Sequence, residues 1–199
     1  MKKLALIVSL LAMMLFSIST AFAADEQVTI MDEDYDLGSI KTLAVATPLY
    51  SPSALDLERQ AKLADAPALI TTDMLVQAIA DTAQKDKAPF KILTDKEVNA
   101  LMLSSTGTDI TTLDKVAAKK FYKSNIKNYA DAYVVFTFVK DKRVVMFADI
   151  YDAKDNHYLY SYRIIGNGVE DDNMENYNMF FHKFFRTLKI QIENSQTEK

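Results

Sequence analysis

An amphipathic helix near the C-terminus is the feature that most constrains how this chain can fold. The pattern predicts a helix that begins after an N-cap at Asp171 or Asp172 and ends at about Asn194. Its apolar residues fall on one broad face of a wheel drawn at about 100° per residue. Most of them are aromatic: Met174, Tyr177, Phe181, Phe184, Phe185, Leu188 and Ile192. A face of this width must be buried against a second layer of structure.

Three strands that precede this helix can supply the second layer. Residues 132–139 and 144–151 are rich in β-branched and aromatic side chains, and residues 157–165 alternate tyrosine or isoleucine with other side chains. Short turn-forming segments separate the three runs. The pattern predicts a three-stranded antiparallel meander.

The first half of the chain alternates short strands with helices. The spacing of Thr94 and Glu97 is that of a capping box, and the segment around Gly107 ends the helix that they begin. The other predicted elements are a strand at 43–46, a helix from Pro67 to about Gln84, a strand at 90–93 and a helix at 112–127. The order β-α-β-α-α-β-β-β-α predicts an α+β fold, with a central mixed sheet of about five strands and a long aromatic amphipathic C-terminal helix.

The N-terminus has the three parts of a secretory signal peptide. Two lysines come first, an apolar run follows to about Ile18, and Ala21-Phe22-Ala23 forms a small-x-small cleavage site. The apolar run is shorter than the roughly 20 residues that cross a bilayer. We therefore expect cleavage after Ala23 and no membrane span in the mature chain.

The predicted organisation is a single domain behind this leader. Residues 1–23 are the signal peptide, 24–38 an acidic, extended or flexible lead-in, 39–194 a single α/β domain, and 195–199 a polar tail. The chain that remains after cleavage is long enough for one domain that buries about 70% of its unfolded surface.

The chain contains no cysteine. Lipoprotein processing needs a cysteine at the first mature position, so a lipid anchor is not expected. Disulfides, thiol nucleophiles and thiolate metal sites are excluded for the same reason. The sequence predicts a soluble, cysteine-free protein that is periplasmic or extracellular after cleavage.

Net charge bears on the class of partner. After removal of the leader the chain carries 21 basic against 27 acidic residues, hence a formal charge of −6. The basic residues look scattered, and the pairs Lys119-Lys120 and Lys142-Arg143 are the densest. This argues against nucleic acid and anionic membrane surfaces as partners, because both are bound through concentrated lysine and arginine.

The sequence offers no catalytic, cofactor-binding or metal-binding set. Only His157 and His182 could act as a histidine acid, base or ligand, and neither has a second ligand at i+3 or i+4. The four glycines form neither a Gly-x-Ser-x-Gly elbow nor a phosphate-binding loop. We therefore expect a protein that is not an enzyme and needs no cofactor.

Two acidic patterns leave alternatives open. Residues 32–36 place oxygen ligands at alternate positions, but Leu37 and Leu43 stand where a calcium loop requires glycine and glutamate. A solvated lead-in is favoured there over a divalent-ion site. A glycosidase pair could also form among the aspartates at 149, 152, 155, 171 and 172. Most of these fall in turns and caps, where aspartate bonds to the backbone.

Aromatic residues are concentrated in the second half of the chain. Most of them are expected to form core between the last helix and the sheet. The others could make an exposed strip that binds a protein or peptide. The candidate partner-binding residues are Tyr158, Tyr160, Tyr162 and Phe180.

The order of elements and several local strings resemble a group of envelope proteins. The strings lie at 43–46, 72–78, 90–101, 130–133 and 144–152, and together they span about residues 41–165. They resemble the α/β domain shared by the curli-secretion channel protein, the lipoprotein activators of penicillin-binding proteins and the amino-terminal domain of the Tol translocation protein.

This resemblance implies a mixed sheet with helices packed on it and an adaptor or assembly role in the envelope, without site residues to carry over. Phe136 and Thr137 stand where the group commonly has a glycine, and no cysteine is present. Neither pore formation nor outer-membrane anchoring is therefore expected of this chain.

Three functions follow as hypotheses. The leading one is an exported binding or adaptor protein of the cell envelope that acts through protein–protein contact with an envelope partner. The first alternative is a small-ligand-binding protein with an aromatic pocket between the last helix and the meander. The second is a carboxylate-based cell-wall hydrolase.

Overall fold

The computed structural model describes residues 25–52, 54–62, 68–140, 142–168 and 172–197. The predicted leader, its cleavage site after Ala23, and the residues Pro67 and Asp171 lie outside this part of the chain. Within it, no helix combines the length and the apolar character that crossing a bilayer requires.

The described chain forms strands and α-helices in the order β1 (Asp25–Ile30), β2 (Thr42–Val45), α1 (Ala54–Lys62), α2 (Thr72–Lys85), β3 (Lys91–Leu93), α3 (Asp95–Thr106), α4 (Lys115–Asn125), β4 (Ala132–Lys140), β5 (Val144–Asp152), β6 (Tyr158–Ile165) and α5 (Met174–Thr197). Short 3-10 helices cover Leu37–Ser39, Ile110–Thr112 and Ile126–Asn128.

All six strands belong to one mixed sheet, in the order β1-β6-β5-β4-β2-β3. Strand β2 runs parallel to β3 and β4, while β4, β5, β6 and β1 pair antiparallel. This confirms the predicted α+β fold, the mixed sheet and the three-stranded meander.

Strand β1 is one more strand than the sequence predicted. It lies in the segment expected to be an extended or flexible lead-in and pairs with β6 from Asp25↔Ile165 to Ile30↔Tyr160. The strand is hard to recognise from its sequence, because most of its side chains are exposed and only Val28 packs against the core. The strand is held by backbone pairing with a segment far away in the sequence.

Helices α2 and α5 cover one face of the sheet and form the main core with it. Phe136 of β4 meets Phe181 and Phe184 of α5 edge-on, with ring centroids 5.5 and 5.4 Å apart. Edge-to-face pairs of this kind add about 0.5–1.5 kcal/mol to what burial contributes. The predicted buried face of α5 is confirmed.

The N-terminus of α5 differs from the prediction by one or two residues. The Oδ1 of Asn173 accepts a hydrogen bond of 3.0 Å from the N–H of Asn176, so Asn173 takes the capping position that Asp171 or Asp172 was expected to fill. Asp172 is instead bound to Lys140 and Tyr177. At the other end the helix continues to Thr197, into the segment expected to be a polar tail.

Helices α3 and α4 cover only part of the opposite face, where a second cluster surrounds Met102, Ile126 and Tyr133. The predicted capping box of α3 is present: Thr94 and Glu97 bind each other's backbone N–H groups. Gly107 ends the helix in the left-handed region with φ 72°, a conformation that glycine adopts without steric cost.

Two helices are shorter than predicted. Helix α2 begins at Thr72 because Thr71 caps it by accepting a hydrogen bond from Met74 N–H. Helix α4 covers Lys115–Asn125, with 3-10 turns before and after it. The sequence pattern places Val116 and Phe121 on one apolar face of α4; Phe121 packs against the second cluster together with Tyr122, but Val116 is 79% exposed.

Candidate functional site

The aromatic strip predicted from the sequence is not exposed. Tyr160, Tyr162 and Phe180 are fully buried in the main core. Tyr160 and Tyr162 lie on β6, which stands between β1 and β5 rather than at the edge of the sheet. Phe180 lies on α5, which packs against both the sheet and α2. Three of the four predicted contact residues therefore act as core.

Tyr158 has a different environment because the strand register changes beside it. A β-bulge between Ile150 and Tyr151 shifts the pairing with β6, and a shift by one residue moves a side chain to the other face of a sheet. The Tyr158 ring stacks on Tyr151 at 4.9 Å, and Tyr151 stacks on Tyr133 at 5.2 Å. These three rings form a tyrosine ladder across β6, β5 and β4.

The tyrosine ladder is a partly buried polar layer. Tyr158 donates a hydrogen bond of 2.6 Å to Asp149, and Tyr133 donates one of 3.1 Å to Asn156. Burial, reinforced by the bond to Asp149, raises the pKa of Tyr158 to about 12. Burial likewise raises the pKa of Tyr133 to about 12. Both phenols therefore stay neutral at physiological pH, so neither can serve as a phenolate base.

Beyond the ladder, the second face of the sheet presents side chains that belong to neither core cluster. Strand alternation brings them to one side, since their neighbours in sequence point into the main core. We call this surface the open face, and it consists of Val139, Val145, Phe147, Arg163 and Ile165. Val139 is 47% exposed and the others are half-buried.

Arg163 lies at the centre of the open face. In the sheet it stands between Phe147 of β5 and Gln27 of β1. Its Nε is buried without a hydrogen-bond partner, and within the described residues its guanidinium makes no ion pair. An arginine held in this way keeps an uncompensated positive charge and unused donors.

Neither Asp149 nor Asp25, which is paired with Ile165 on the same face, forms an ion pair with Arg163. Asp149 accepts hydrogen bonds of 2.6 Å from Tyr158 and 2.7 Å from Ser161, both on the same oxygen. A buried arginine donor normally has a partner, and one without it loses free energy that a bound acceptor can return. Within the described residues, the open face thus combines a guanidinium without an ion pair with apolar side chains that no helix covers.

Sequence reasoning missed the open face although its residues were visible. The period-two pattern of β5 shows that Val145 and Phe147 share a side, but it cannot tell which side a helix covers. Only the positions of α3 and α4, which stop short of this part of the sheet, leave these residues uncovered.

The other predicted aspartates have structural roles. Asp152 accepts hydrogen bonds from the backbone of Lys154 and Asp155 in the β5–β6 turn. Asp172 is half-buried and is bound by Lys140 at 2.7 Å and by the hydroxyl of Tyr177 at 2.6 Å. The hydrogen bonds of Asp152 agree with the turn role that the sequence favoured, whereas those of Asp172 join side chains of β4 and α5 and do not cap the helix.

Both histidines contact carboxylates. His182 Nδ1 lies 2.7 Å from Asp86, at the surface. His157 Nδ1 lies 2.6 Å from Asp155, and its Nε2 lies 2.9 Å from Asp32. The bond with Asp155, assisted by Asp32, raises the pKa of His157 above 6.5.

The β5–β6 turn also contains a possible ligand set. One side-chain ligand atom each of Asp152, Asp155 and His157 lies within 4.8 Å of the others. Both ring nitrogens of His157 already contact carboxylates, so a cation would compete with those hydrogen bonds. Of the acidic run 32–36, Asp32 binds His157 and Asp36 caps the first 3-10 helix, so part of the run is tied to the fold.

No protein-family model and no curated protein matches the chain. Among solved structures, the chain is similar to a PelC dodecamer from Paraburkholderia phytofirmans, with 10% sequence identity over 83% of this chain and 97% of that one and a TM-score of 0.44. A point variant of that dodecamer aligns with 8% identity over 83% and 98% of the chains and a TM-score of 0.42. A TM-score below 0.5 does not establish a shared fold.

Proposed function

We propose that this chain is an exported binding or adaptor protein of the cell envelope that acts through protein–protein contact, and that the partner docks on the open face. The observation that carries the proposal is Arg163, a half-buried arginine without an ion pair in the described structure, surrounded by uncovered apolar side chains. Arginine and aromatic residues in this arrangement are typical of the few positions that dominate binding energy at interfaces.

The open face also indicates the chemistry of the partner. Arg163 needs a carboxylate or carbonyl oxygen, and its planar guanidinium binds a carboxylate through two parallel hydrogen bonds. Phe147, Val145 and Ile165 require apolar contact around that bond. A protein surface that presents one acidic side chain among apolar ones satisfies both requirements.

The leader and the family resemblance support the proposed location. A signal peptide cleaved after Ala23 would deliver the chain beyond the cytoplasmic membrane. The similarity in element order to the curli-secretion, penicillin-binding-protein activator and Tol proteins favours an envelope role. The absence of cysteine from the sequence favours a freely diffusing protein over a lipid-anchored one.

We propose binding rather than catalysis because the described acidic and phenolic groups at this face are committed to hydrogen bonds. Asp149 is occupied by two hydroxyl groups, and the Tyr158 phenol is held neutral. The rings between α5 and the meander pack directly on one another, with Phe138 and Tyr177 centroids 4.8 Å apart. That packing favours core over the aromatic ligand pocket considered as an alternative.

A site-specific crosslinking experiment in intact cells tests the proposal. A photoreactive phenylalanine analogue replaces Phe147 on the open face, and in a control chain the same analogue replaces the exposed Gln77 on α2. We expect a discrete crosslinked species at position 147 only. Arg163→Glu should abolish it by repelling the partner's carboxylate, whereas Arg186→Glu, an exposed arginine on α5, should leave it unchanged.

Two results would overturn this proposal. One is the absence of any discrete crosslink at position 147 in a folded, exported chain. The other is a crosslink that survives Arg163→Glu, because the partner would then not depend on the charge at the centre of the open face.

A further inference from the structure

A stripe of lysines follows one flank of α4 and the turn after it. Lys115, Lys119, Lys120 and Lys123 lie on the helix, which contains no acidic residue, and Lys127 lies in the following 3-10 turn. We call these five residues the lysine stripe. Successive members are four residues apart, except Lys120, so they neighbour each other on the helix surface. The stripe is roughly 18 Å long at 1.5 Å per residue.

The stripe forms one wall of an open depression of about 560 Å³. The opposite wall is the β5–β6 turn, which contributes Lys154, Asp155 and Asn156. Asn156 fixes the two walls together, because its Nδ2 donates a hydrogen bond to the backbone carbonyl of Lys123 and its Oδ1 accepts one from Tyr133. The shape of the depression is therefore set by the core through the tyrosine ladder.

The depression is strongly cationic for a chain with a formal charge of −4. Five of the residues that line it are lysines and one is an aspartate. That aspartate, Asp155, is already bound by His157. None of these lysines forms a salt bridge with any carboxylate in the described residues.

This concentration of like charge lowers stability. Like charges four residues apart on a helix repel each other and destabilise it. Asp114 caps the N-terminus of α4 by accepting hydrogen bonds of 2.9 Å from the N–H groups of Val116 and Ala117, but the helix itself contains no acidic residue that would offset its lysines. A bound polyanion removes this repulsion, which is a physical reason for the stripe to bind one.

We propose that the lysine stripe binds an acidic polysaccharide chain. The proposal rests on the proposed extracytoplasmic location, where such glycans occur. The length of the stripe favours a polymer with several regularly spaced anions over a single anion. Lys154 lines the depression on the side opposite the helix, so a chain that lies along the depression can contact lysines from both sides.

Lys123 connects the stripe to the tyrosine ladder. Its Nζ lies 5.8 Å from the ring centroid of Tyr151, a partly exposed member of the ladder whose ring is stacked between those of Tyr133 and Tyr158. A chain that occupies the depression would contact the lysines through its carboxylates. The scattered distribution of basic residues in the sequence thus becomes a single patch in the fold.

Calorimetric titration of the purified mature protein with an oligogalacturonate long enough to span the stripe tests the proposal. Two triple variants are compared with the wild-type protein. The stripe variant combines Lys119→Gln, Lys120→Gln and Lys123→Gln. The control variant combines Lys85→Gln, Lys87→Gln and Lys91→Gln, at exposed positions elsewhere. Both triple variants lose the same charge. We expect about tenfold weaker binding for the stripe variant, the product of about twofold to threefold for each exposed ion pair.

Binding by the wild-type protein should weaken steeply with added salt, and this dependence should be smaller in the stripe variant. An equal loss of affinity in the two triple variants would overturn the proposal, because binding would then depend only on net charge. So would a lack of binding at low salt, or tighter binding to a neutral galactan, to polyglutamate or to phosphatidylglycerol vesicles. The crosslink at position 147 uses other residues, so this test can fail without affecting the protein-docking proposal.

Discussion

At the scale of single residues, His157 joins two segments that lie far apart in the sequence. It contacts Asp155 in its own turn and Asp32 in the segment after β1. The raised pKa of this histidine means that the folded state binds the proton more tightly than the unfolded state does. Its stabilising contribution is complete below pH 6.5 and is lost as pH rises through the higher pKa of the folded state.

We predict that His157→Gln lowers the melting temperature more at about pH 6 than at about pH 8.5, because only the imidazolium attracts both carboxylates. Thermal unfolding followed by circular dichroism at both pH values measures this difference. His182→Gln, which removes a contact to Asp86 alone, is the comparison. A decrease in melting temperature for His157→Gln that is the same at both pH values would show that the contact acts through shape rather than charge.

Tyr158 provides a second prediction at this scale. Its pKa is raised to about 12, first by burial and then by the hydrogen bond to Asp149. In Asp149→Asn the burial remains and the anionic acceptor is gone. We expect the pKa of Tyr158 to fall while that of Tyr133, raised by burial, stays near 12. NMR titration of ring-labelled tyrosine measures both, and an unchanged Tyr158 would contradict the role assigned to Asp149.

At the scale of elements, the ends of α3 are defined by its own sequence. Thr94 and Glu97 close the capping box, and Gly107 adopts φ 72° at the C-terminus. Such local signals act within a few residues, which is why the sequence predicted this helix closely. Helix α4 was predicted less well because its apolar residues do not show which flank faces the sheet.

We predict that Thr94→Ala lowers the free energy of unfolding by about 1 kcal/mol, since it removes the acceptor for one N–H and the partner of Glu97. Gly107→Ala should cost about 1–2 kcal/mol from backbone conformation alone, because no atom lies within 4 Å of the position that its Cβ would take. Urea unfolding measures both. Ser104→Ala, at an exposed helical position, is the control and should not destabilise.

At the scale of the whole molecule, the two faces of the sheet differ in how far helices cover them. One is sealed by α2 and α5, and the other is covered at one end only. A phenylalanine therefore contributes more to the stability of the fold on the sealed face than on the open face. Phe184 is fully buried on the sealed face, whereas Phe147 on the open face is half-buried and belongs to neither core cluster.

We predict that Phe184→Ala lowers the free energy of unfolding by about 3–5 kcal/mol, whereas Phe147→Ala lowers it by about 1 kcal/mol or less, as expected of a partly exposed site. Denaturant unfolding of the two purified variants makes the comparison. Equal losses would indicate that the open face is packed in the free protein and is not a docking surface.

Much of the fold was predictable because its signals are local. The period of α5, the alternation of β4 to β6 and the capping box of α3 are all contained in short windows. Strand β1 was not predictable, because Val28 is its only side chain packed on the core and its pairing partner is β6. Nor was the face on which Tyr158 lies, because a bulge reverses the alternation at that point.

The two proposed binding surfaces show the same limit. The lysine stripe was present in the sequence as a spacing of four, but its depression forms only when the β5–β6 turn docks against α4 through Asn156. Arg163 looked like one polar residue in an alternating strand. Its importance depends on the absence of a helix above it in the described structure, and no local pattern encodes that.

The pairing of β1 with β6 has a consequence for the timing of folding. Synthesis proceeds from the N-terminus, so β1 is made first, and the strand that completes its hydrogen bonds follows only after more than a hundred further residues. During that interval β1 presents unpaired backbone groups on both edges, which favours association with other extended chains. Asp25 and Glu26 at its start counteract such association through their charge, so the acidity of this segment protects the protein before it is folded.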